Sequence, residues 1–198
     1  MPPTNNPSHD VHSVARLILS SERPRLMIGS ATRWGWNDTD KERRNFLRFL
    51  EEKIPALDLA HVSDFKPVDT LSFSPGVTIL AGIPKTRMEL VLEHVNKIRD
   101  SCGRILLFDD HSLPPSGHIH LDARDLKLFD TLIKEIDALL SSSGFTPWGA
   151  TPDGIAHSQS LTKYPEKRPD WKWDETRSIH IPEEFRHDLA SGLDEHAE

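Results

Sequence analysis

Two histidines stand one residue apart in the stretch GHIHLDARDLKLFDTLIKEI, which begins at Gly117. A histidine acts as a general base when a carboxylate orients it, and it can activate a serine hydroxyl as a nucleophile. Ser30, which follows an apolar run, is the candidate nucleophile and His120 the candidate base. Asp109 and Asp110, which follow another apolar run, are the candidate orienting carboxylates. These four residues are the candidate catalytic set for acyl hydrolysis.

The same stretch permits metal binding as a further alternative. In an extended segment residues i and i+2 point to one side, so His118 and His120 could share one ion. The spacing His118-x-His120-x-Asp122 resembles the H-x-H-x-D opening of metallo-β-lactamase-type hydrolases. The next histidine of that family corresponds to Ala123, and Asp122 is better explained as a helix cap. We therefore predict neither a bound metal nor a cofactor.

Aromatic and basic residues suggest binding surfaces. Trp34 and Trp36 flank Gly35 directly after the first apolar run, where they could form the wall of a pocket or cap the core. Two further tryptophans lie in an acidic, Pro-rich tail and are costly to leave exposed to water. The candidate binding residues are therefore Arg33, Trp34, Trp36, Lys85, Trp171 and Trp173.

Four short apolar runs that alternate with helical patterns must position these residues. The predicted strands cover 25–29, 58–62, 77–81 and 104–108. A short helix is predicted at 11–19, and further helices are predicted to begin at the capping boxes Thr39-x-x-Glu42 and Thr86-x-x-Glu89 and at Asp122. This alternation predicts a three-layer α/β/α domain with a short parallel sheet, flavodoxin-like.

In an open parallel sheet, ligands bind outside the carboxyl ends of the strands. Ser30, Lys85 and the Asp109–Asp110 pair all follow such ends, and the loop with His118 and His120 returns to the same edge. We predict that His120 lies within reach of the loop at 29–32, that Leu121 faces the core, and that His118 points elsewhere.

Charge and composition divide the chain into three parts: an N-terminal arm (1–22), the α/β domain (23–148) and a C-terminal extension (149–198). The domain carries 17 basic and 18 acidic residues, whereas the extension carries 6 and 11. The net charge of −7 argues against broad binding to DNA or to anionic membranes. The extension lacks sustained periodicity and is predicted to be irregular, apart from a short helix at 183–189.

The sequence contains no apolar window of the ~18 residues that a membrane span requires. Its start, MPPTNNPSHD, lacks the basic and apolar regions of a signal peptide. The single cysteine, Cys102, cannot form an internal disulfide. These observations favour an intracellular protein, cytoplasmic or nuclear, with no membrane partner.

Three motifs resemble the conserved blocks of SGNH (GDSL-type) hydrolases over about residues 25–143. LMIGSATRWGW is similar to the first block, an apolar strand followed by G-D-S-x-T. ILAGIPK stands where that family has G-x-N-D, and HIHLDARDLKLF resembles its last block, D-x-x-H-L-N. The resemblance implies a serine esterase that uses Ser30 and His120 on a small ester.

The motifs depart from the family at its catalytic positions. The aspartate that orients the histidine is Gly117 here, and the oxyanion-hole asparagine is Pro84, or Ile83 after a one-residue slip. Removing one oxyanion donor costs roughly 10²–10³ in rate. The resemblance therefore implies a degenerate SGNH-like domain that binds RNA or protein, with the esterase as the alternative and a metal-dependent hydrolase through His118 and His120 as the third interpretation.

Overall fold

A five-stranded parallel sheet forms the centre of the domain, as a computed structural model of the chain shows. The structure describes residues 10–29, 38–62, 67–109 and 118–162. The strands run in the order β2-β1-β3-β4-β5, which is the flavodoxin-like order. Their bounds are β1 Arg25–Ile28, β2 Asp58–His61, β3 Val77–Ala81, β4 Arg104–Asp109 and β5 Ile119–Asp122.

The parallel pairing confirms the predicted fold class. β1 pairs with β2 on one side and with β3 on the other, and β3 pairs with β4. All five residues of β3 are buried, as expected of a strand covered on both faces. A fifth strand, which we had expected to be a histidine-bearing loop, pairs with β4 and places Leu107 opposite His120.

The described part of the chain contains five α-helices. Their bounds are α1 Val11–Ser20, α2 Asp38–Lys53, α3 Lys85–Lys97, α4 Leu126–Ser141 and α5 Pro152–Thr162. Short 3-10 turns lie at Val68–Thr70, Arg99–Ser101 and Trp148–Ala150. The strand-helix-strand alternation places α3 across the crossover from β3 to β4, as parallel pairing requires.

Two apolar clusters show the three layers. Residues of α1, α2 and α4 pack on one face of the sheet, where the rings of Phe46, Phe108 and Phe129 lie 4.8 to 5.4 Å apart between centroids. Met88, Val91 and other residues of α3 pack on the opposite face. The core therefore lies on both sides of the sheet, with three helices against one face and one against the other.

α1 belongs to the core, whereas the sequence pattern had suggested an N-terminal arm. Val14, Ala15, Ile18 and Leu19 are all buried in the cluster shared with α4. Asp10 caps the helix by accepting hydrogen bonds from two backbone N–H groups. The predicted helix at 11–19 is thus confirmed, and the first twenty residues contribute one of the three helices on that face.

The expectation of an irregular chain after residue 148 is wrong over α5. The backbone N–H of Gly154 donates to the Thr151 hydroxyl at 3.2 Å, and Pro152 opens the helix, where its missing N–H costs nothing. Gly154 is buried, and a β-carbon at this position would lie 2.6 Å from the α-carbon of Gly149. The glycine that had suggested a turn instead permits close packing of α5 on the turn before it.

The three predicted helix caps differ from the observed ones. α2 begins at Asp38, so Thr39 lies inside it, and α3 begins at Lys85, after Pro84. Asp122 lies in β5, and the cap of α4 is Asp125, whose carboxylate accepts from the backbone N–H groups of two residues in the first turn. Each capping motif therefore marked the right helix, but not its first residue.

Candidate functional site

The carboxyl ends of β1 and β3 meet at the point where the chain order along the sheet reverses. In this fold such a switch point is where ligands bind. Gly29 ends β1, and its backbone N–H donates to the carbonyl oxygen of Ala81 at 2.9 Å. Gly82 follows β3 with a φ of 65°, a conformation that glycine adopts without strain. The backbones at the two glycines are in direct contact. A β-carbon on Gly29 would lie 2.8 Å from the carbonyl carbon of Gly82 and 2.6 Å from the α-carbon of Ile83.

α3 begins directly beyond this glycine contact. Pro84 is its N-cap residue, no side chain among the described residues caps it, and its first turn contains no acidic residue. The first N–H groups of a helix have no intrahelical acceptor and carry a partial positive charge. Lys85, the first residue of α3, is exposed at this place, and Arg87 lies two residues further along. Lys85, predicted as a binding residue, thus lies at the switch point.

The two histidines lie on the α3 face of the sheet, at one edge. His120 is half-buried beside Leu107, whereas Leu121 is buried on the opposite face among the residues that contact α4, as predicted. His118 lies two residues earlier in the direction of the amino ends, and its Nε2 is buried with no hydrogen-bond partner among the described residues. Burial lowers the pKa of His118, and the nearby charge of Arg99 lowers it further.

Asp122 is engaged by a neighbour. Its carboxylate accepts hydrogen bonds from the backbone N–H and the Nε of Arg124, both at 2.9 Å, and from Nη2 at 2.8 Å. These bonds hold the pKa of Asp122 below its usual value, with a smaller contribution from His120. Asp109, the predicted orienting carboxylate, ends β4 and pairs in register with Asp122. Because Arg124 occupies both oxygens of Asp122, this carboxylate is poorly placed to bind a metal.

A buried arginine connects α2 to the end of β5. Arg43 is 6% exposed, and its Nε donates to the carbonyl oxygen of Ala123 at 2.7 Å. A charged side chain at such a depth needs polar partners. The Ala123 carbonyl lies in the turn that leads to Asp125 and α4. Arg43 therefore fixes the position of the β5–α4 turn at the carboxyl edge.

The remaining predicted site residues lie outside the described residues. They are Ser30, Arg33, Trp34, Trp36, Asp110, Trp171 and Trp173. Ser30 directly follows Gly29, so its chain position, although not its side chain, is tied to the switch point. The proximity of His120 to the 29–32 loop and the contact of Ser30 with a base stay predictions.

Sequence reasoning missed Arg43 and Arg124. Arg43 stands in the charged run DTDKERR, in which nothing distinguishes a buried arginine from an exposed one. Arg124 follows Asp122 by two residues, a spacing that allows the two side chains to pair. We had instead interpreted Asp122 as a helix cap. The Gly29–Gly82 contact could be found only from the three-dimensional structure, because the pairing of β1 with β3 creates it.

Within the described ranges, no group of three or more His, Cys, Asp or Glu residues could hold a metal ion. No helix among them is long and apolar enough to cross a bilayer. No protein-family model matches the sequence, and a search of curated proteins finds no significant match. Function must therefore be argued from the site itself.

Proposed function

We propose that the domain is a binding module, SGNH-like in its motifs, that takes a single-stranded RNA segment at the carboxyl edge over Gly29 and Gly82. The observation that carries this proposal is the position of the first turn of α3. It lies directly beyond the glycine contact and has neither a side-chain cap nor an acidic residue among the described residues. Such a turn favours an anionic group, for which a phosphate is well suited.

Basic and aromatic residues in this turn and in the sequence after Gly29 support a nucleic acid over an acidic peptide. Lys85 is exposed in the first turn, and Arg33 belongs to the segment that follows Gly29. Trp34 and Trp36 lie in the same segment. Proteins that bind single strands combine positive charge along the backbone with aromatic rings on which bases stack. Because the net charge of the domain is close to zero, we expect the RNA to contact a local basic site and not an extended basic surface.

The residues at the positions of the hydrolase motifs favour binding over catalysis. Ile83 is fully buried in the α3 cluster, and Pro84 has no N–H to donate to an oxyanion. The strands that carry Gly29 and His120 are separated by β3 and β4. Three strand spacings and a two-residue offset in register separate their α-carbons by about 16 Å. Ser30 is bonded to Gly29, so a hydrogen bond between Ser30 and His120 would require the chain after Gly29 to pass over β3 and β4.

The test is binding of a fluorescent single-stranded RNA of about ten nucleotides to the full-length chain, measured by anisotropy at two salt concentrations. We expect Lys85→Glu to weaken binding at least several-fold and to reduce the salt dependence, since one phosphate contact changes the slope by about 0.7. The matched control is Lys97→Glu at the opposite end of α3, where Lys97 pairs with Glu93. It should leave binding nearly unchanged.

Three outcomes would overturn the proposal. One is the absence of RNA binding together with binding of an acidic peptide, and another is equal loss of RNA binding in the Lys85 and Lys97 variants. The third is turnover of a small activated ester that Ser30→Ala abolishes, which would favour the esterase. Stoichiometric metal in the purified protein, with activity lost on chelation, would favour the metal-dependent hydrolase.

A further inference from the structure

The end of the sheet opposite the proposed site holds a histidine in a tightly packed position. His157 lies on α5, and its ring contacts that of Trp148, with centroids 5.6 Å apart and planes tilted by 57°. Its Nε2 is buried and has no hydrogen-bond partner among the described residues. The ring also has a hydrogen bond to the backbone of Ala56, in the segment between α2 and β2. α5 is thus joined to the amino ends of β1 and β2 through this side chain.

Charged groups from three elements face the imidazole. Asp58 is the first residue of β2, Arg25 the first of β1, and Arg23 precedes β1. Arg25 donates to the Asp58 carboxylate and to the Ser72 carbonyl oxygen at 2.6 Å, so the charge of Asp58 is already compensated. Arg23 lies 3.7 Å from Glu22 at an exposed position. A proton on His157 would therefore add positive charge beside two guanidinium groups, with one carboxylate already engaged.

Apolar packing contributes little to the docking of α5. Gly154 is buried against Gly149 and the Trp148 backbone, whereas Ile155 is 47% exposed. Neither apolar cluster of the domain contains a described residue of α5. The glycine contact and the packing of the His157 ring against Trp148 therefore contribute to the docking of this helix.

We propose that His157 is a pH-dependent latch, which seats α5 on the amino end of the sheet when its ring is neutral and releases the helix when the ring is protonated. Protonation would place an N–H at Nε2, where the described residues offer no acceptor, and a buried unmatched donor is costly. Burial and the two arginines lower the pKa of His157, and Asp58 and the Ala56 hydrogen bond oppose them.

The direction of the pH effect follows from linkage. A histidine with a lowered pKa in the docked state binds its proton more readily when α5 is released. Above the ordinary value of 6.5 both states are neutral and docking is at full strength. As the pH falls through 6.5 the released state gains protons first, and docking weakens until the docked ring also titrates.

The experiment is hydrogen exchange of the full-length chain at pH 7.5 and pH 5.5, corrected for intrinsic exchange. We expect protection of the α5 amides to fall about threefold to tenfold at the lower pH, since one pKa unit corresponds to tenfold. The α4 amides report the pH dependence of global stability and serve as an internal reference. His157→Phe keeps a ring beside Trp148 without a titratable group, and it should abolish the pH response.

The matched control is His12→Phe. His12 is exposed on α1, and its Nδ1 pairs with Glu135 Oε2 of α4 at 2.9 Å. This variant should retain the full response of α5. If His157→Phe fails to fold, His157→Gln gives the same comparison. The proposal is overturned by pH-independent protection of α5 in the unaltered chain, or by an α5 response that survives in both His157 variants.

Discussion

A β-carbon on Gly29 would lie 2.8 Å from the carbonyl carbon of Gly82. The backbones after β1 and β3 are therefore in contact where the two strands leave the sheet, and no side chain can separate them. Because both neighbours are backbone groups of the central strands, they cannot move aside as a flexible side chain would. This contact fixes the geometry of the switch point and of the first turn of α3.

Gly29→Ala should destabilise the domain by about 1–3 kcal/mol, the usual range for overpacking a well-packed site. The measurement is urea unfolding at neutral pH. Gly144→Ala is the control, because the nearest atom to a β-carbon there, among the described residues, is the Ser142 hydroxyl oxygen at 3.8 Å. A control substitution in open space should change stability by less than ~0.5 kcal/mol. Equal stability of the two variants would mean that the Gly29 contact is not tight.

Arg43→Met should cost about 1–3 kcal/mol, because it removes the donor to a buried Ala123 carbonyl while it keeps most of the apolar stem. Lys97→Met is the control, since Lys97 is exposed and forms an i,i+4 pair with Glu93. Such a pair contributes at most ~0.5 kcal/mol. Comparison of the two denaturation midpoints tests the buried role of Arg43, and similar midpoints would contradict it.

Phe108→Ala should be among the most destabilising changes in the domain, at about 3–5 kcal/mol. Phe108 is fully buried on β4, and its ring contacts both Phe46 of α2 and Phe129 of α4. Leu90→Ala on α3 should have a small effect, since Leu90 is 50% exposed. Thermal unfolding of both variants is the check, and a small effect of Phe108→Ala would place the core elsewhere.

How far the sequence predicts this fold is clearest at its strands. β3 was predicted to the residue because VTILA is apolar and bounded by glycines. β5 was missed because its four residues, IHLD, alternate between buried apolar and half-buried polar positions. That alternation is the signal of a strand at the edge of a sheet. His118, His120 and Asp122 in and next to this segment also suggest a catalytic or metal-binding loop.

The candidate site was predictable in position but not in its details. Parallel strands bring the residues after β1 and β3 to one edge, so the location of Lys85 follows from the pattern of elements. The burial of Arg43 depends on packing between α2 and the distant β5–α4 turn, and local composition contains no trace of it. The engagement of Asp122 by Arg124 is a short-range pair that we had interpreted as a helix cap. α5 was missed because its TPDG start has both helix and turn signals, and only the contact with Gly149 shows why glycine is there.

Global stability should decrease as the pH falls from 7.5 to 5.5. Burial lowers the pKa of His118 in the folded state, and Arg99 lowers it further. Below pH 6.5 the unfolded chain therefore binds more protons than the folded chain. The contribution of neutral His118 to the free energy of unfolding is complete above that pH and is lost as the pH falls. His118→Asn should make the dependence shallower in urea unfolding at each pH. An unchanged slope would exclude His118 as a source of the effect.

Truncation tests where the domain ends. Because neither apolar cluster contains a described residue of α5, a chain of residues 1–150 should fold with cooperative unfolding and a lower melting temperature than a chain of residues 1–162. The difference should be about 1–2 kcal/mol, from the loss of the Thr151 cap and of the contact between His157 and Trp148. A substitution of His157 in the 1–162 chain should reproduce part of this loss of stability, since it removes one of the two contributions. A soluble but molten 1–150 product would show that residues beyond Ala150 belong to the fold, and the predicted boundary at 148 would then be wrong.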